Sequence, residues 1–376
     1  MPLVSVVACQ SYEPGVVRQA VQAALAPLGS IGRFVHAGMQ VLLKPNLLVP
    51  ADLERAVTTH PAVVQAVAEL VQEAGGTALI GDSPGALAGG LSGTFRKSGL
   101  AGVAERTGAQ LVPFESVVWK RMDGSGGARD YFIARPVLEA DLVINLPKLK
   151  THMLTLYTGA VKNMFGTVPG TRKRELHCRA PGVQDFSAVL VDVLELVRPG
   201  LTLMDGVLGQ EGNGPGMGGT PRHYGLLAAS TDPVALDVLV ARALGFQAGE
   251  VLHLAQASGR GLGVADLDAV EVVGERRVLD VGPVVLPHTH WYTRAPAWIT
   301  APVSRAIRLR PRLEPSACVG CGRCAEVCPR EAITPGQPPR IDMDRCVGCF
   351  CCAEVCPQGA ITPHRNLVAR LIGVGG

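Results

Sequence analysis

Asp141-Leu-Val-Ile-Asn145-Leu-Pro-Lys148-Leu-Lys150-Thr-His152 is an apolar run that turns abruptly polar. The run over 141–144 reads as a strand. Asn145, two lysines and a histidine then sit just past its carboxyl end. Three other segments repeat the pattern. The strand over 40–43 ends in Lys44-Pro-Asn46, that over 78–81 in Asp82-Ser-Pro-Gly85, and that over 201–204 in Asp205-Gly206. Helical patterns lie at 14–28, 61–74, 95–107, 184–197 and 233–244. Further strands are expected at 3–8, 110–112, 224–229, 269–273 and 277–281, with a hairpin of 117–122 and 129–133. Strands alternating with helices predict an α/β domain, a largely parallel sheet with helices on both faces.

In an open parallel sheet, ligands bind beyond the carboxyl ends of the strands. The four polar strand ends therefore converge on one crevice. Lysine usage points to the same place. The chain has 7 Lys against 28 Arg, and Lys44, Lys148, Lys150 and Lys162 all fall in or beside these motifs. Where Arg is the default cation, a retained Lys signals that a compact ammonium is wanted. Thr158-Gly-Ala-Val-Lys162-Asn163-Met-Phe-Gly166 follows closely, and Arg172, Lys173 and Arg174 add positive charge. The expectation is a cationic pocket for a carboxylate- or phosphate-bearing ligand. Lys44, Asn46, Asn145, Lys148, Lys150, Lys162, Asn163 and Asp205 would line it, with His152 or Asp82 moving protons. His60, just before Pro61, is expected to start a helix. The seven glycines of 206–219 read as a lid or substrate loop. Their G-x-G-x-x-G match lies too far from its strand, with a Pro inside, to be a dinucleotide fingerprint.

Near the C-terminus, Cys318-Val-Gly-Cys321-Gly-Arg-Cys324-Ala-Glu-Val-Cys328-Pro and Cys346-Val-Gly-Cys349-Phe-Cys-Cys352-Ala-Glu-Val-Cys356-Pro share one pattern, C-x2-C-x2-C-x3-C-P. That spacing holds iron–sulfur cubes, the fourth Cys of each run serving the other cluster. Cys318, Cys321, Cys324 and Cys356 are thus assigned to one [4Fe–4S] cluster, and Cys346, Cys349, Cys352 and Cys328 to a second. Residues 318–335 and 346–363 align without gaps and agree at 14 of 18 positions. The repeat sets Cys351 opposite Arg323 and so excludes it as a ligand. Zinc, which takes four ligands usually as two pairs, does not suit a duplicated four-Cys run.

Domains are expected at 1–282 (α/β), 283–316 (a Pro-, Arg- and Trp-rich linker), 317–363 (a small α+β bacterial-ferredoxin-like domain) and 364–376 (a tail with a short helix over 367–372). Cys9 and Cys178 stand apart from the other nine cysteines. A net charge of +3 with mixed signs gives no bias toward nucleic acid. There is no 18-residue apolar run to span a membrane. Reduced cysteines without a basic, apolar leader point to the cytoplasm.

Lys44-Pro-Asn46, Thr59-His60-Pro61, Gly81-Asp82-Ser83, Asn145 to His152, Gly159-Ala-Val-Lys162-Asn163 and Asp205-Gly206 together resemble an uncharacterised prokaryotic family, number 362 among the domains of unknown function. The match spans roughly 4–245. The resemblance implies an α/β domain linked to anaerobic or redox metabolism, often joined to a two-cluster ferredoxin module; it brings no reaction. Two functions remain open. In one, the clusters exchange electrons with a small anionic ligand in the crevice, making a ferredoxin-coupled oxidoreductase. In the other, the chain is a non-catalytic electron-transfer or cofactor-maturation protein that docks a redox partner protein.

Overall fold

The computed structural model describes residues 1–84, 90–124, 127–180, 182–290 and 310–364. The large domain is built on a ten-stranded sheet. Its strands are β1 (Leu3–Ala8), β2 (Gln40–Pro45), β3 (Thr77–Ile80), β4 (Gln110–Leu111), β7 (Leu142–Leu146), β8 (Lys148–His152), β9 (Leu156–Thr158), β10 (Leu201–Gly212), β11 (Gly219–Ser230) and β12 (Glu271–Gly274). A separate hairpin pairs β5 (Val117–Gly124) with β6 (Gly127–Ala134). The main order is β12-β1-β11-β10-β7-β2-β3-β4, with β8 on β10 and β9 on β8. β4, β3, β2, β7 and β10 run parallel, as the alternating pattern predicts, and β11 returns antiparallel between β10 and β1.

Both faces are covered. Along β2, Leu42 joins one core with Leu190, Val193 and Val240, while Val41 and Leu43 join another with Val17, Val63 and Val67. A side-chain period of two feeds alternate residues to opposite faces, so a doubly covered strand reads apolar throughout. The helices are amphipathic. Pro61–Glu73 starts on Pro61, the His60 Nδ1 accepts the Ala62 N–H at 3.2 Å, and Gly75 at φ +84° stops the helix. It buries Val63, Val64, Val67, Leu70 and Val71, each worth about 1.5–3 kcal/mol when fully removed from water.

Several segments differ from the sequence reading. The expected helix over 95–107 is two helices, Gly90–Lys97 and Leu100–Thr107, because Gly99 at φ +76° breaks it. The expected strand over 277–281 is a 3₁₀ turn, Arg276–Leu279. The glycine-rich stretch is not a lid. Most of it continues β10 and starts β11, so the two twelve-residue strands form one long hairpin. Glycine was the misleading signal. It is needed here because a side chain at Gly209 would strike Leu149 and Tyr224, and one at Gly219 would strike Gln210. Past Pro147, moreover, the chain does not leave the sheet. It re-enters as β8 beside β10, pairing Lys148 with Asp205.

The small domain is a fold of short pieces. β13 (Arg310–Leu313) pairs with β16 (Ile361–His364), and β14 (Ile333–Thr334) with β15 (Arg340–Ile341). One-turn helices, Arg323–Glu326 and Cys351–Glu354, follow the cysteine loops. β13 lies inside the stretch read as the end of the linker. Linker residues 291–309, with their Trp and Tyr residues, and the tail helix expected at 367–372 lie outside the described residues. Among the described residues, no helix is long and apolar enough to cross a membrane.

Candidate functional site

The carboxyl edge of the parallel strands carries a buried polar network. Lys44, at the end of β2, donates to Asp82 Oδ1 at 2.8 Å and to the Pro45 carbonyl at 2.8 Å. Asp82 also accepts the backbone N–H of Leu47 and of Ser83, each at 2.7 Å. Both partners are at most 1% exposed. Burial pulls the Lys44 ammonium down from its ordinary pKa, and Asp82 opposes that. Beside this pair, Asn163 donates to Asn145 Oδ1 at 2.7 Å and accepts from Asn46 at 3.1 Å. Lys150 donates to Asn46 Oδ1 at 2.5 Å and to the Val57 carbonyl at 2.8 Å. Burial, with Lys162 and Lys148 nearby, brings Lys150 down to about 7.

Lys148 and Asp205 form a second buried pair, at 2.8 Å. Tyr12 bridges it, accepting from Lys148 at 2.6 Å and donating to Asp205 Oδ1 at 2.8 Å. Asp205 Oδ2 also accepts the His60 N–H at 2.9 Å, and the Tyr12 and His60 rings stack with centroids 3.6 Å apart.

Of the residues singled out in the sequence, Lys44, Asn46, Asp82, Lys162 and Asn163 line one cavity of about 110 Å³. Asn145 and Lys150 support that wall from behind. Lys148 and Asp205 stand off it in their own pair. The rest of the wall comes from two sources. Lys173, Arg174 and His177 belong to the helix Thr171–Arg179, while Val327, Cys351, Glu354 and Val355 belong to the small domain. The cavity therefore lies where the two domains meet.

Two buried polar atoms on this wall have no hydrogen-bond partner among the described residues. They are Arg174 Nε, whose guanidinium donates through Nη1 to the Glu326 carbonyl, and His177 Nδ1. The Lys162 ammonium makes no hydrogen bond among the described residues, and burial lowers its pKa. His177 is stacked on Phe186 at 4.1 Å and held neutral by burial, near 4. Lys173 donates to the Ser83 carbonyl. Burial brings it to about 8. An unpaired buried polar group costs about 1–3 kcal/mol, so these two atoms, with the Lys162 ammonium on the same wall, mark a place for a polar ligand.

His152 lies at the domain boundary. Its Nδ1 accepts the Leu154 N–H at 3.0 Å, which places the ring proton on Nε2. That nitrogen is 3.1 Å from Glu354 Oε1, off the line of a well-formed hydrogen bond. Burial holds His152 neutral, near 4. For Glu354 burial acts upward, but His152 and Lys162 outweigh it and keep the carboxylate near 2. Glu354 is a residue the sequence did not single out. Its repeat counterpart, Glu326, is exposed, and nothing in the sequence separates the two. Tyr12 is hidden for a similar reason, in an ordinary pattern.

In the small domain, Cys328, Cys346, Cys349 and Cys352 line one void, and Cys318, Cys321, Cys324 and Cys356 line a second. Cys351 lines neither; it faces the interdomain cavity. Backbone N–H groups already point at sulfur, Ala332 to Cys328 at 3.2 Å and Ala360 to Cys356 at 3.3 Å. Among the described residues no three ligating side chains converge on a single-ion point. Four sulfurs spread around a void suit a cube with metal at several corners, and the amide donors suit its sulfur charge. The residues present fit [4Fe–4S] clusters. Cys178, from the large domain, donates to the Pro329 carbonyl at 2.8 Å beside the first void.

Comparison with known proteins agrees with this division. The family described as "Domain of unknown function (DUF362)" matches residues 41–242, and the "4Fe-4S dicluster domain" matches residues 310–360. A thylakoid-associated protein of Synechocystis sp. is 41% identical over 238 residues, 63% of this chain and 73% of that protein. A lactate racemase apoprotein from Thermoanaerobacterium thermosaccharolyticum aligns at 15% identity with a TM-score of 0.36. That alignment covers 53% of this chain and about half (49%) of the other, a level at which neither fold nor activity transfers.

Proposed function

Since the chain belongs to the family described as "Domain of unknown function (DUF362)" and carries a 4Fe-4S dicluster domain, we propose that it is an oxidoreductase exchanging electrons between two [4Fe–4S] clusters and a small anionic ligand in the interdomain cavity. The clusters, when bound, supply single-electron chemistry. The observation that carries this reading is the wall that Lys162 shares with Cys351 and Glu354 of the small domain, on which Arg174 Nε and His177 Nδ1 are buried without a partner among the described residues.

The protein's own residues have distinct tasks. Lys162, Arg174 and His177 bind and orient oxygen atoms of the ligand. The Lys44–Asp82 pair and the asparagine network fix the floor. Val327 and Val355 close the wall with apolar surface and limit water. His152, neutral, holds the Glu354 carboxylate against the boundary. A cavity of about 110 Å³ is well below the several hundred Å³ that drug-sized ligands and organic cofactors occupy, so the ligand is a small metabolite rather than a flavin or a dinucleotide.

Anaerobic purification followed by mass spectrometry of small molecules released on denaturation tests this reading. A stoichiometric small anion is expected, lost in Lys162→Ala while the iron content is kept. A stoichiometric protein partner with no small anion would instead support the docking function and overturn this one.

A further inference from the structure

Charge on the cavity wall narrows the ligand. Lys44 and Asp82 neutralise each other at 2.8 Å. What remains is Lys162, Lys173 and Arg174 against Glu354, an excess of two positive charges, with His177 neutral. Burial disfavours the two ammonium groups of Lys162 and Lys173. The cheapest compensation is a ligand of equal and opposite charge, since a paired buried charge avoids most of the penalty that an unpaired one meets.

Size and donor geometry restrict it further. A cavity of about 110 Å³ admits on the order of ten non-hydrogen atoms or fewer. Its donors come from two elements. Lys162 sits on the one-turn helix Ala160–Asn163, while Arg174 and His177 sit one turn apart on Thr171–Arg179. Donors arriving from separate elements suit a ligand whose acceptor oxygens are spread over the molecule.

Resting on the anion-binding reading above, we infer that the cavity selects a small dianion, with about ten non-hydrogen atoms or fewer and two negative charges. Short dicarboxylates and phosphates share this chemistry. Lys162 takes one set of oxygens, Arg174 and His177 the other. A monoanion leaves one positive charge of the excess uncompensated. Neutral ligands compensate none of the positive excess.

The test is anaerobic titration calorimetry on the cluster-loaded full chain. The probes are malonate, succinate and inorganic phosphate as dianions, with acetate and propionate as monoanions. At least one dianion is expected to bind about tenfold or more tightly than either monoanion, the worth of one further charge-assisted contact. The dicarboxylate and phosphate arms show which source of the shared charge is preferred. Arg174→Gln lowers the net excess to one and should erase most of the preference, whereas Glu354→Gln raises it and should tighten the dianion. Visible absorption of the clusters verifies that each variant is folded and loaded. Monoanions binding as tightly as dianions, with Lys162→Ala weakening both, would overturn the dianion while leaving an anion site. No binding by any probe, with Lys162→Ala unchanged in its copurified molecules, would overturn the site itself.

Discussion

The Asp237 carboxylate accepts the backbone N–H of Ala160 at 2.7 Å. It also accepts the N–H of Val161 at 2.8 Å and the Tyr157 hydroxyl at 3.0 Å. A buried carboxylate in the helix Pro233–Ala243 thus fastens the turn that presents Lys162 and Asn163. Gly159 has to be glycine there, because a Cβ would lie 2.1 Å from Asp237 Oδ1. Asp237→Asn keeps the shape but turns an amide N–H₂ toward one of the donors. It should cost about 1–3 kcal/mol, speed hydrogen exchange at Ala160 and Val161, and weaken malonate binding with Lys162 still in place. Unchanged exchange at both amides would remove Asp237 from this role.

A second glycine guards the Lys44–Asp82 pair. A Cβ at Gly166 would sit 2.2 Å from Asp82 Oδ1 and 2.6 Å from Lys44 Nζ. Gly166→Ala must push these buried charges apart, and breaking such a pair costs about 3–5 kcal/mol. Gly15→Ala is the control, with no heavy atom within 4 Å of the new methyl. Thermal unfolding should show a large drop for the first and little change for the second.

Anion affinity should depend on pH through Lys173. Brought to about 8 by burial, it is mostly charged at neutral pH, and a bound anion favours that charged form. Binding is therefore strongest below about pH 8 and weakens as pH rises through it, by up to about tenfold per unit. Lys173→Arg, which stays protonated, should flatten the profile. Malonate titrations on either side of pH 8 measure both.

Cys351 and Cys352 are neighbours in sequence with different fates in space. Cys351→Ser should keep the full iron content, because its sulfur faces the cavity and neither four-cysteine void. Cys352→Ser removes a wall of the first void and should lose about half the iron. Iron and acid-labile sulfide analysis of anaerobically purified variants distinguishes them.

Much of this was legible in the sequence, for reasons that differ by element. The strands at 40–45 and 142–146 announce themselves because both faces are covered and nearly every residue before the polar end is apolar. The polar residues that follow them reach one edge because parallel strands share a direction. β8 was hidden, since Pro147 signals a stop and only the neighbouring β10 shows that the chain resumes pairing. The long hairpin was hidden because glycine serves both loops and tight strand crossings. Charge pairing was also invisible. Lys44 and Lys148 look alike in the sequence, yet Asp82 and Asp205 draw them into separate networks, and only the first lies on the cavity. The contribution of Glu354 could not be read at all, because it depends on how the small domain is docked.

That docking has broken the equivalence of two inherited halves. The halves agree at 14 of 18 positions. Here the second half rests against the hairpin turn, where a Cβ on Gly216 would lie 2.5 Å from the Glu354 carbonyl, and the first half leaves Glu326 in water. Transposing the halves would deliver Arg323 where Cys351 stands and push a guanidinium into a wall already rich in cations. The duplication is still written in the sequence, but mutation no longer samples its copies alike. A substitution at 326 meets water, whereas one at 354 meets His152 and the cavity wall.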